Sequence, residues 1–476
     1  MTTRYSTDPH IERSLRHSVR DGVSYSVMTG SGEVFFSAYA LALKAVTPQI
    51  AFLAAVPPLL GSFVQLFSAW LGGRGVRRRP IILTAVALQT LLWLPIILLP
   101  LLFPRQAVPL LIVSVVLYFA AANLASPQWS SLMGDLVPER RRGRFFAART
   151  RLMNLTAFLA LVGAGLVLHA FQARGQSYWG FALVFSVAML ARLYSLYQLS
   201  RMDEPAPREA ALAPVLTRDL LVRVRRSQFA RFSVFFAFMN LAVFMAAPFF
   251  TVYMLRDLQF SYLEFTASTA MSVLAQFLTL TKWGRISDAF GNRVILAATG
   301  AVLPVLPLLW LVSTGFWYIL AIQMFGGLVW AGFVLSAGNF LYDAVPPPKR
   351  AQYSAIHSVL ASVGLCVGAL AGGLLAPHLP RSTELFGVSI DWASNLYGVF
   401  LLSALARGLV ALLFIPHLKE VRDVRRFPFP SLIFRVSQFR AVAGLVFSLF
   451  PYGQGRRAQP RPTEPGPTRG STDTAC

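Results

Sequence analysis

The sequence predicts an all-α integral membrane protein: twelve transmembrane helices in two pseudo-symmetric six-helix bundles. Three observations predict it. Of 476 residues, 55% are hydrophobic and 13% charged, against roughly 25% charged in a soluble domain. Apolar runs bounded by charges or turn residues recur along the chain. Short fragments of the first half reappear in order in the second. A soluble globule could not hide that much apolar surface, whereas twelve spans of about 20 residues would occupy close to half of a chain this long. A soluble enzyme, a disordered chain, a fibrous protein and a disulfide scaffold are all disfavoured.

The runs place spans at 23–43, 47–71, 81–103, 108–133, 146–172, 179–200, 232–255, 263–283, 294–314, 316–341, 352–378 and 395–416. Only helices and closed barrels satisfy the backbone in lipid, and runs this long are helices. Of the 43 Lys and Arg residues, 36 fall in the segments on one side of these spans or in the span ends beside them (Arg149, Arg151 and Lys282), 5 on the other side and 2 (Arg192 and Arg407) deeper inside spans. This asymmetry predicts that both termini are cytoplasmic, and an even number of spans agrees. A net charge of +23 would point to nucleic acid in a soluble protein. Here the basic residues sit in short segments between apolar runs, so the bilayer is the expected partner and nucleic acid is not.

The resulting organisation is a polar cytoplasmic N-terminal segment (1–22), a six-helix bundle (23–200), a cytoplasmic linker (201–231), a second six-helix bundle (232–416) and a cytoplasmic tail (417–476). The N-terminal segment carries Asp8, Glu12 and Asp21 and does not read as a signal peptide. Within the tail, 429–450 is apolar but contains Arg435 and Arg440. A thirteenth span would put both near the bilayer centre at about 2.5–3.5 kcal/mol each, so a membrane-surface helix is expected there. Cys366 and Cys476 are the only cysteines. They make neither a disulfide framework nor a zinc site, and no cofactor or metal is expected.

The internal repeat has four parts. Asp135-Leu-Val-Pro138, followed by Arg142 and Phe145, matches Asp343-Ala-Val-Pro346, followed by Arg350 and Tyr353, at an offset of 208. Leu-Ala-Arg192 matches Leu-Ala-Arg407, at an offset of 215. Trp70 precedes a Gly/Arg loop that ends Arg79-Pro-Ile-Ile-Leu83, and Trp283 precedes one that ends Arg293-Val-Ile-Leu296. The second of these loops, Gly284-Arg-Ile-Ser-Asp288-Ala-Phe-Gly291-Asn-Arg293, resembles the signature loop G-x-x-x-D-x-x-G-x-[RK] of the major facilitator superfamily. Together with six plus six spans, a long middle loop and cytoplasmic termini, it makes residues 23–416 similar to that family. The resemblance implies alternating access between two rocking bundles, with the cavity drawn from spans 1, 4, 7 and 10. It also implies that Asp288 braces the outward-facing state against the start of the fifth span, where Arg149 and Arg151 stand. The departures are specific. The first-half loop, Gly72-Gly-Arg-Gly-Val-Arg-Arg-Arg79, has no Asp. The fourth span lacks the Arg of many proton-coupled members. The fifth span has Gly163-Ala-Gly165 but no G-P-x-x-G-G antiporter signature.

Glu33 is the most informative residue. It stands about ten residues into the first span, roughly 15 Å along a helix. An intramembrane carboxylate is expensive and faces a cavity or a partner. It reads as a proton-coupling or substrate group, or else as a structural partner for a hydroxyl, amide or Arg. Asn123, Gln128 and Trp129 on the fourth span, Asn240 on the seventh, and Gln323 and Asn339 on the tenth are polar groups within apolar runs. They are candidates for the cavity wall, though each alone is more often an interhelical hydrogen bond. His357, near the cytoplasmic end of the eleventh span, is a weaker coupling candidate. Arg192 and Arg407, at matching positions in the halves, read as architecture rather than as an anion site. Gly284, Asp288, Gly291 and Arg293, together with Asp135/Arg142, Asp343/Arg350 and Arg149, read as cytoplasmic gate elements. Gly364, Gly368, Gly372 and Gly373 form a small-residue face for close packing.

No G-x-x-x-x-G-K-[ST], HExxH or GxSxG motif occurs, so neither an internal ATP motor nor an enzyme is expected. The expected function is secondary active transport of a small solute across a bacterial inner membrane, with protons the leading coupling ion and a monomer the expected state. The alternative is a transporter-like membrane scaffold or sensor that acts through its cytoplasmic tail.

Overall fold

The computed structural model describes residues 5–6, 8–74, 76–138, 141–204, 227–345, 350–380, 382–385, 388–392 and 394–420. Most of the linker and the tail beyond 420, including the expected surface helix at 429–450, lie outside the described residues, as does the side chain of Arg350.

Twelve helical rods follow one another. α1 comprises Pro9–Ser31, a 3-10 turn Glu33–Phe35, and Phe36–Ala42. α2 is Thr47–Gly73, α3 is Arg78–Leu91 with Trp93–Leu102, α4 is Ala107–Leu136, α5 is Arg142–Gln172 and α6 is Ser177–Ser200. α7 is Gln228–Phe244 with Ala247–Val252 and a π turn Tyr253–Asp257. α8 is Tyr262–Phe290, α9 is Asn292–Val302 with Val305–Leu309, and α10 is Phe316–Asp343. α11 is Arg350–Leu375, ending in the 3-10 turn Ala376–His378, and α12 is Leu396–Phe414. Between α11 and α12 the chain forms a hairpin, β1 (Ser382–Leu385) with β2 (Val388–Asp391), in antiparallel register from Ser382↔Asp391 to Leu385↔Val388. The apolar pattern gave no sign of it.

Among the described residues eleven rods are long and apolar enough to cross a membrane. The exception is α1, which differs from expectation in a second way by beginning at Pro9. Asp8 caps it, its carboxylate accepting from His10 N at 2.8 Å, and Pro9 fits the first helical position. The residues expected to form a separate polar segment are therefore mostly helix. Their polar side chains Ser14, Ser18 and Asp21 are buried, and α1 packs on α5 and α6.

The packing pattern recurs. In the first half α1 lies on α5 and α6, α2 on α4, and α3 on α4 and α6. In the second half α7 lies on α11 and α12, α8 on α10, and α9 on α10 and α12. The halves meet where α2 packs on α11 and α5 on α8.

The apolar cores show which end is shut. The face that carries Pro9 and His417 is called the terminal face, and the opposite one the far face. Toward the far face one cluster serves both halves: Phe35, Tyr39, Trp93 and Phe185 merge with Phe249, Tyr253, Phe265 and Phe400. Toward the terminal face the halves keep separate cores. Leu15, Ile82, Leu136 and Phe145 belong to one, and Phe232, Leu296, Phe333 and Phe340 to the other. Hydrogen bonds join the halves at the far end, from Arg256 Nη1 to Thr47 Oγ1 at 3.1 Å and from Tyr262 N to Gln172 Oε1 at 2.9 Å. The molecule is joined at its far face and split toward its terminal face.

Candidate functional site

Glu33 sits where α1 breaks. Packing explains the polar run around it. A Cβ on Gly30 would come 2.3 Å from Ala157 O of α5, and one on Gly32 would come 2.4 Å from Cη2 of Trp93. Small residues are needed for both approaches, and the helix tightens into a 3-10 turn beyond them. This turn sends Glu33 to α4, where Tyr118 Oη donates to Glu33 Oε1 at 2.8 Å. Tyr118 is fully buried in an aromatic cluster, with ring centroids 5.2 Å from Trp93 and 5.6 Å from Phe36. Glu33 itself is half-buried. A charge-assisted bond of this kind is worth about 1.5–3 kcal/mol.

Closer to the terminal face the first half holds a second charged group. Asp21 accepts from Arg149 Nη2 at 3.3 Å and from Ser195 Oγ at 2.7 Å. Arg149 also donates from Nε to Ser18 O at 3.1 Å and lies over the Trp129 ring at 4.4 Å. Arg192 donates from Nε to Gln89 Oε1 and from Nη1 to Ser195 Oγ, both at 2.9 Å, and lies over Tyr25 at 5.0 Å. A cavity of about 230 Å³ opens among these groups, lined by Asp21, Tyr25, Trp129, Arg149 and Arg192 together with apolar residues of α3, α4 and α6.

The matched arginine of the second half differs. Arg407 is 2% exposed and is held by Ser403 Oγ (3.1 Å), Leu303 O (3.2 Å) and Val243 O (3.3 Å). Pro307 stands four residues after Leu303 and has no N–H to give its carbonyl. Val243 lies where α7 breaks. Arg407 thus satisfies carbonyls at two helix breaks, the architectural role expected of it. Arg192 lines a cavity instead.

The other candidates scatter. Trp129 joins the charged cavity, with Nε1 buried and unpartnered among the described residues. Gln128 bridges helices, donating from Nε2 to Ser68 O at 2.5 Å across to α2. Asn123 and Asn240 each donate to the carbonyl one turn back, Phe119 O and Phe236 O, at 2.8 Å. Gln323 is half-buried on α10. Asn339 reaches toward Ser287 Oγ at 3.5 Å, near the terminal face. His357 is wedged beside Phe232 and Phe236 and exchanges a hydrogen bond with Ser233 Oγ at 3.1 Å, a packed core histidine.

The gate residues form braces within each half. Asp135 pairs with Arg78 Nη1 at 2.6 Å, tying the start of α3 to the end of α4. Glu204 also holds Arg78, accepting from its backbone N at 2.8 Å. Arg142, expected to work with Asp135, donates instead to Gly134 O at 2.7 Å. Asp343 accepts from Asn292 Nδ2 at 2.9 Å, which ties the start of α9 to the end of α10 in the same manner. Gly291 joins α8 to α9 at φ 85°, a left-handed conformation that accounts for glycine there. Gly284 and Asp288 lie one turn apart at the end of α8, and Arg293 N donates to Glu420 Oε2 at 2.8 Å. Arg149, expected opposite Asp288, is paired with Asp21 in its own half. The split of the halves at this face separates the expected partners. Sequence reasoning missed Tyr118, Arg78 and the role of Asp21. The Asp8-Pro9 pair, an N-cap followed by a first-turn proline, was the available signal that Asp21 stands on a helix.

Two bundles of six helical rods, eleven of the twelve long and apolar enough to cross a membrane, joined at one end and holding a half-buried carboxylate where α1 breaks, fit a multi-pass transporter of the two-bundle kind. The chain belongs to the Major Facilitator Superfamily, whose model matches residues 23–253 and 232–454. Over 184 residues it is 29% identical to the class C tetracycline resistance protein of Escherichia coli, which covers 37% of this chain and 40% of that protein. Over 96 residues it is 30% identical to the multidrug resistance protein MdtG of Salmonella choleraesuis, 20% of this chain and 24% of that one. The matches thus span less than half of either relative. Among solved structures, the fold is shared with a bacterial homolog of the human lysosomal transporter Spinster in an inward-facing, unoccupied conformation (TM-score 0.63, 13% identity, 86% of this chain and 97% of that one). It is shared also with the nucleoside transporter NupG (0.64, 12%, 86% and 99%) and the D-xylose–proton symporter (0.63, 14%, 87% and 98%).

Proposed function

We propose that this protein is a secondary active transporter of the bacterial inner membrane that moves a small organic solute by alternating access, coupled to protons through Glu33. Both termini are cytoplasmic on this reading, by the 36-to-5 distribution of basic residues, so the terminal face is the inner one and the molecule stands open to the cytoplasm. The observation that carries the coupling is the single contact between Glu33 on α1 and Tyr118 on α4 at 2.8 Å. A carboxylate that can take up a proton at that depth changes the charge of the first bundle when it does so, and a hydroxyl partner can serve either form. Two sets of relatives, named for drug resistance and for nucleoside or xylose transport, are compatible with a small organic solute. Asp288, Gly284, Gly291 and Arg293 act on this reading as the inner gate, Asp288 meeting the start of α5 when the halves close toward the cytoplasm. The protein works as a monomer.

Reconstitution in proteoliposomes tests the coupling. An imposed pH gradient drives uptake or efflux by the native protein. Glu33→Gln removes that drive while leaving exchange of solute between the two sides, and Tyr118→Phe slows pH-driven flux by about ten- to 150-fold, the worth of one such hydrogen bond. Unchanged pH-driven flux in Glu33→Gln removes the residue from the mechanism.

A further inference from the structure

We propose that the cavity between Arg149 and Arg192 is an oxyanion site that takes the carboxylate or phosphate head of a small organic anion, its flat body lying against Trp129 and Tyr25. This deepens the transporter reading and rests on it for the identity of the occupant as cargo. The first argument is charge. Two guanidinium groups and one carboxylate line the space, and all three are at least 91% buried (Arg149 9%, Arg192 5% and Asp21 4% exposed). Asp21 contacts Arg149 directly but reaches Arg192 only through Ser195 Oγ. Counted over the lining, one positive charge is in excess. Asp21 and Glu33, the latter outside the lining, both act on Arg192 electrostatically, so an anion in the cavity completes the set when Glu33 carries a proton.

The second argument is donor geometry. A guanidinium has five N–H groups. Arg149 uses Nε and Nη2, and Arg192 uses Nε and Nη1. Arg149 Nη1 and Arg192 Nη2 have no partner among the described residues, and neither is among the nitrogens sealed from the cavity. Two such nitrogens from different helices, α5 and α6, suit two oxygens of one carboxylate or phosphate. The third argument is orientation. Each guanidinium carbon lies over an aromatic ring, Trp129 at 4.4 Å and Tyr25 at 5.0 Å, which helps hold it in place. Gly22 leaves the room: a Cβ there would lie 2.7 Å from Arg149 Nη2. At about 230 Å³ the space holds a head group and a short flat body. Glu33 is not among its lining residues.

The test is binding to the full-length protein in detergent, with no gradient and no flux, so that its failure is separate from failure of the transport reading. The probes are sodium benzoate, inorganic phosphate, and micelles doped with phosphatidic acid, each against chloride at equal ionic strength, read by calorimetry and thermal shift. Benzoate or phosphate is expected to bind the native protein. Arg192→Gln, which brings the cavity to zero net charge, weakens binding at least tenfold. Asp21→Asn, which raises the net charge to two, tightens it severalfold. Arg192→Lys keeps the charge and retains measurable binding, which guards against a merely misfolded Gln variant. Binding of phosphatidic acid alone upholds the oxyanion site and gives its source as a lipid head group rather than a soluble solute. No response to any probe, or the same direction of change in Asp21→Asn and Arg192→Gln, overturns the proposal.

Discussion

Two arginines at equivalent places in a repeated chain have come to do different work, and the difference lies in what each finds around it. Arg407 finds one carbonyl, Leu303 O, that proline has left without a backbone donor and another, Val243 O, at a helix break where Ala246 N also donates at 3.2 Å, and among the described residues it has no acid beside it. Arg192 finds a serine, a glutamine and an empty space with Asp21 beyond. Arg407→Leu should therefore act on stability, leaving Leu303 O without a donor in a buried setting at about 1–3 kcal/mol. A lowered midpoint of thermal inactivation in detergent, with solute affinity per folded molecule unchanged, is the expected result. A large loss of solute affinity at unchanged midpoint would assign Arg407 to the solute. Only part of this was legible in the sequence. Glu33 stood out as an acid in an apolar run. Its partner Tyr118 did not, because tyrosine is an ordinary occupant of membrane helices and carries no signal of its own. Asp21 stood in a polar stretch that composition assigns to water, and only its burial on α1 gives it meaning. Symmetry of the repeat argued that both arginines were architectural, and it could not register that their neighbours had diverged.

At the scale of the element, hydropathy located the spans because lipid imposes one length and one composition on all of them. It was silent on the breaks in α1, α3, α7 and α9, where composition does not change. Proline alone does not settle them. α9 is interrupted beside Pro304, yet α2 runs unbroken through Pro57 and Pro58. The glycines of α11 are more decisive. A Cβ on Gly364, Gly368 or Gly372 would stand 2.1, 2.1 or 2.0 Å from the carbonyl oxygens of Ala237, Leu241 and Met245 on α7. Backbone cannot yield as a side chain can. Gly368→Ala should therefore separate α11 from α7 at a cost of about 1–3 kcal/mol. Gly338→Ala on α10, where a Cβ meets nothing within 4 Å, should be neutral or slightly stabilising. Thermal inactivation of the two variants side by side reads the contrast. Equal behaviour would mean that the α7–α11 contact carries no such constraint.

At the scale of the molecule, the alternating access proposed for this protein requires two states close in free energy, so whatever holds the far face shut must then be weak enough to release. The contacts there fit that demand. Besides the shared apolar cluster, with edge-on rings such as Phe35 against Phe265 at 6.1 Å, the halves are joined by Arg256 to Thr47 and Tyr262 N to Gln172. The terminal-face ion pairs Arg78–Asp135 and Arg149–Asp21 stay inside the first half, so they do not have to break for the halves to move. Two hydrogen bonds of about 1 kcal/mol each would bias the closed far face by up to roughly 30-fold. In a background of Cys366→Ser and Cys476→Ser, one reporter cysteine replaces buried Ala38 at the far-face vestibule, and another replaces Ser126, which is exposed on α4 beside the charged cavity. An impermeant thiol reagent should label Ala38→Cys slowly from outside and Ser126→Cys quickly from inside. Adding Arg256→Ala and Gln172→Ala should speed the first and slow the second, because opening one face draws molecules from the state that opens the other. If both rates rise together, the two substitutions have loosened the fold rather than moved a two-state equilibrium, and the far-face contacts are not the latch.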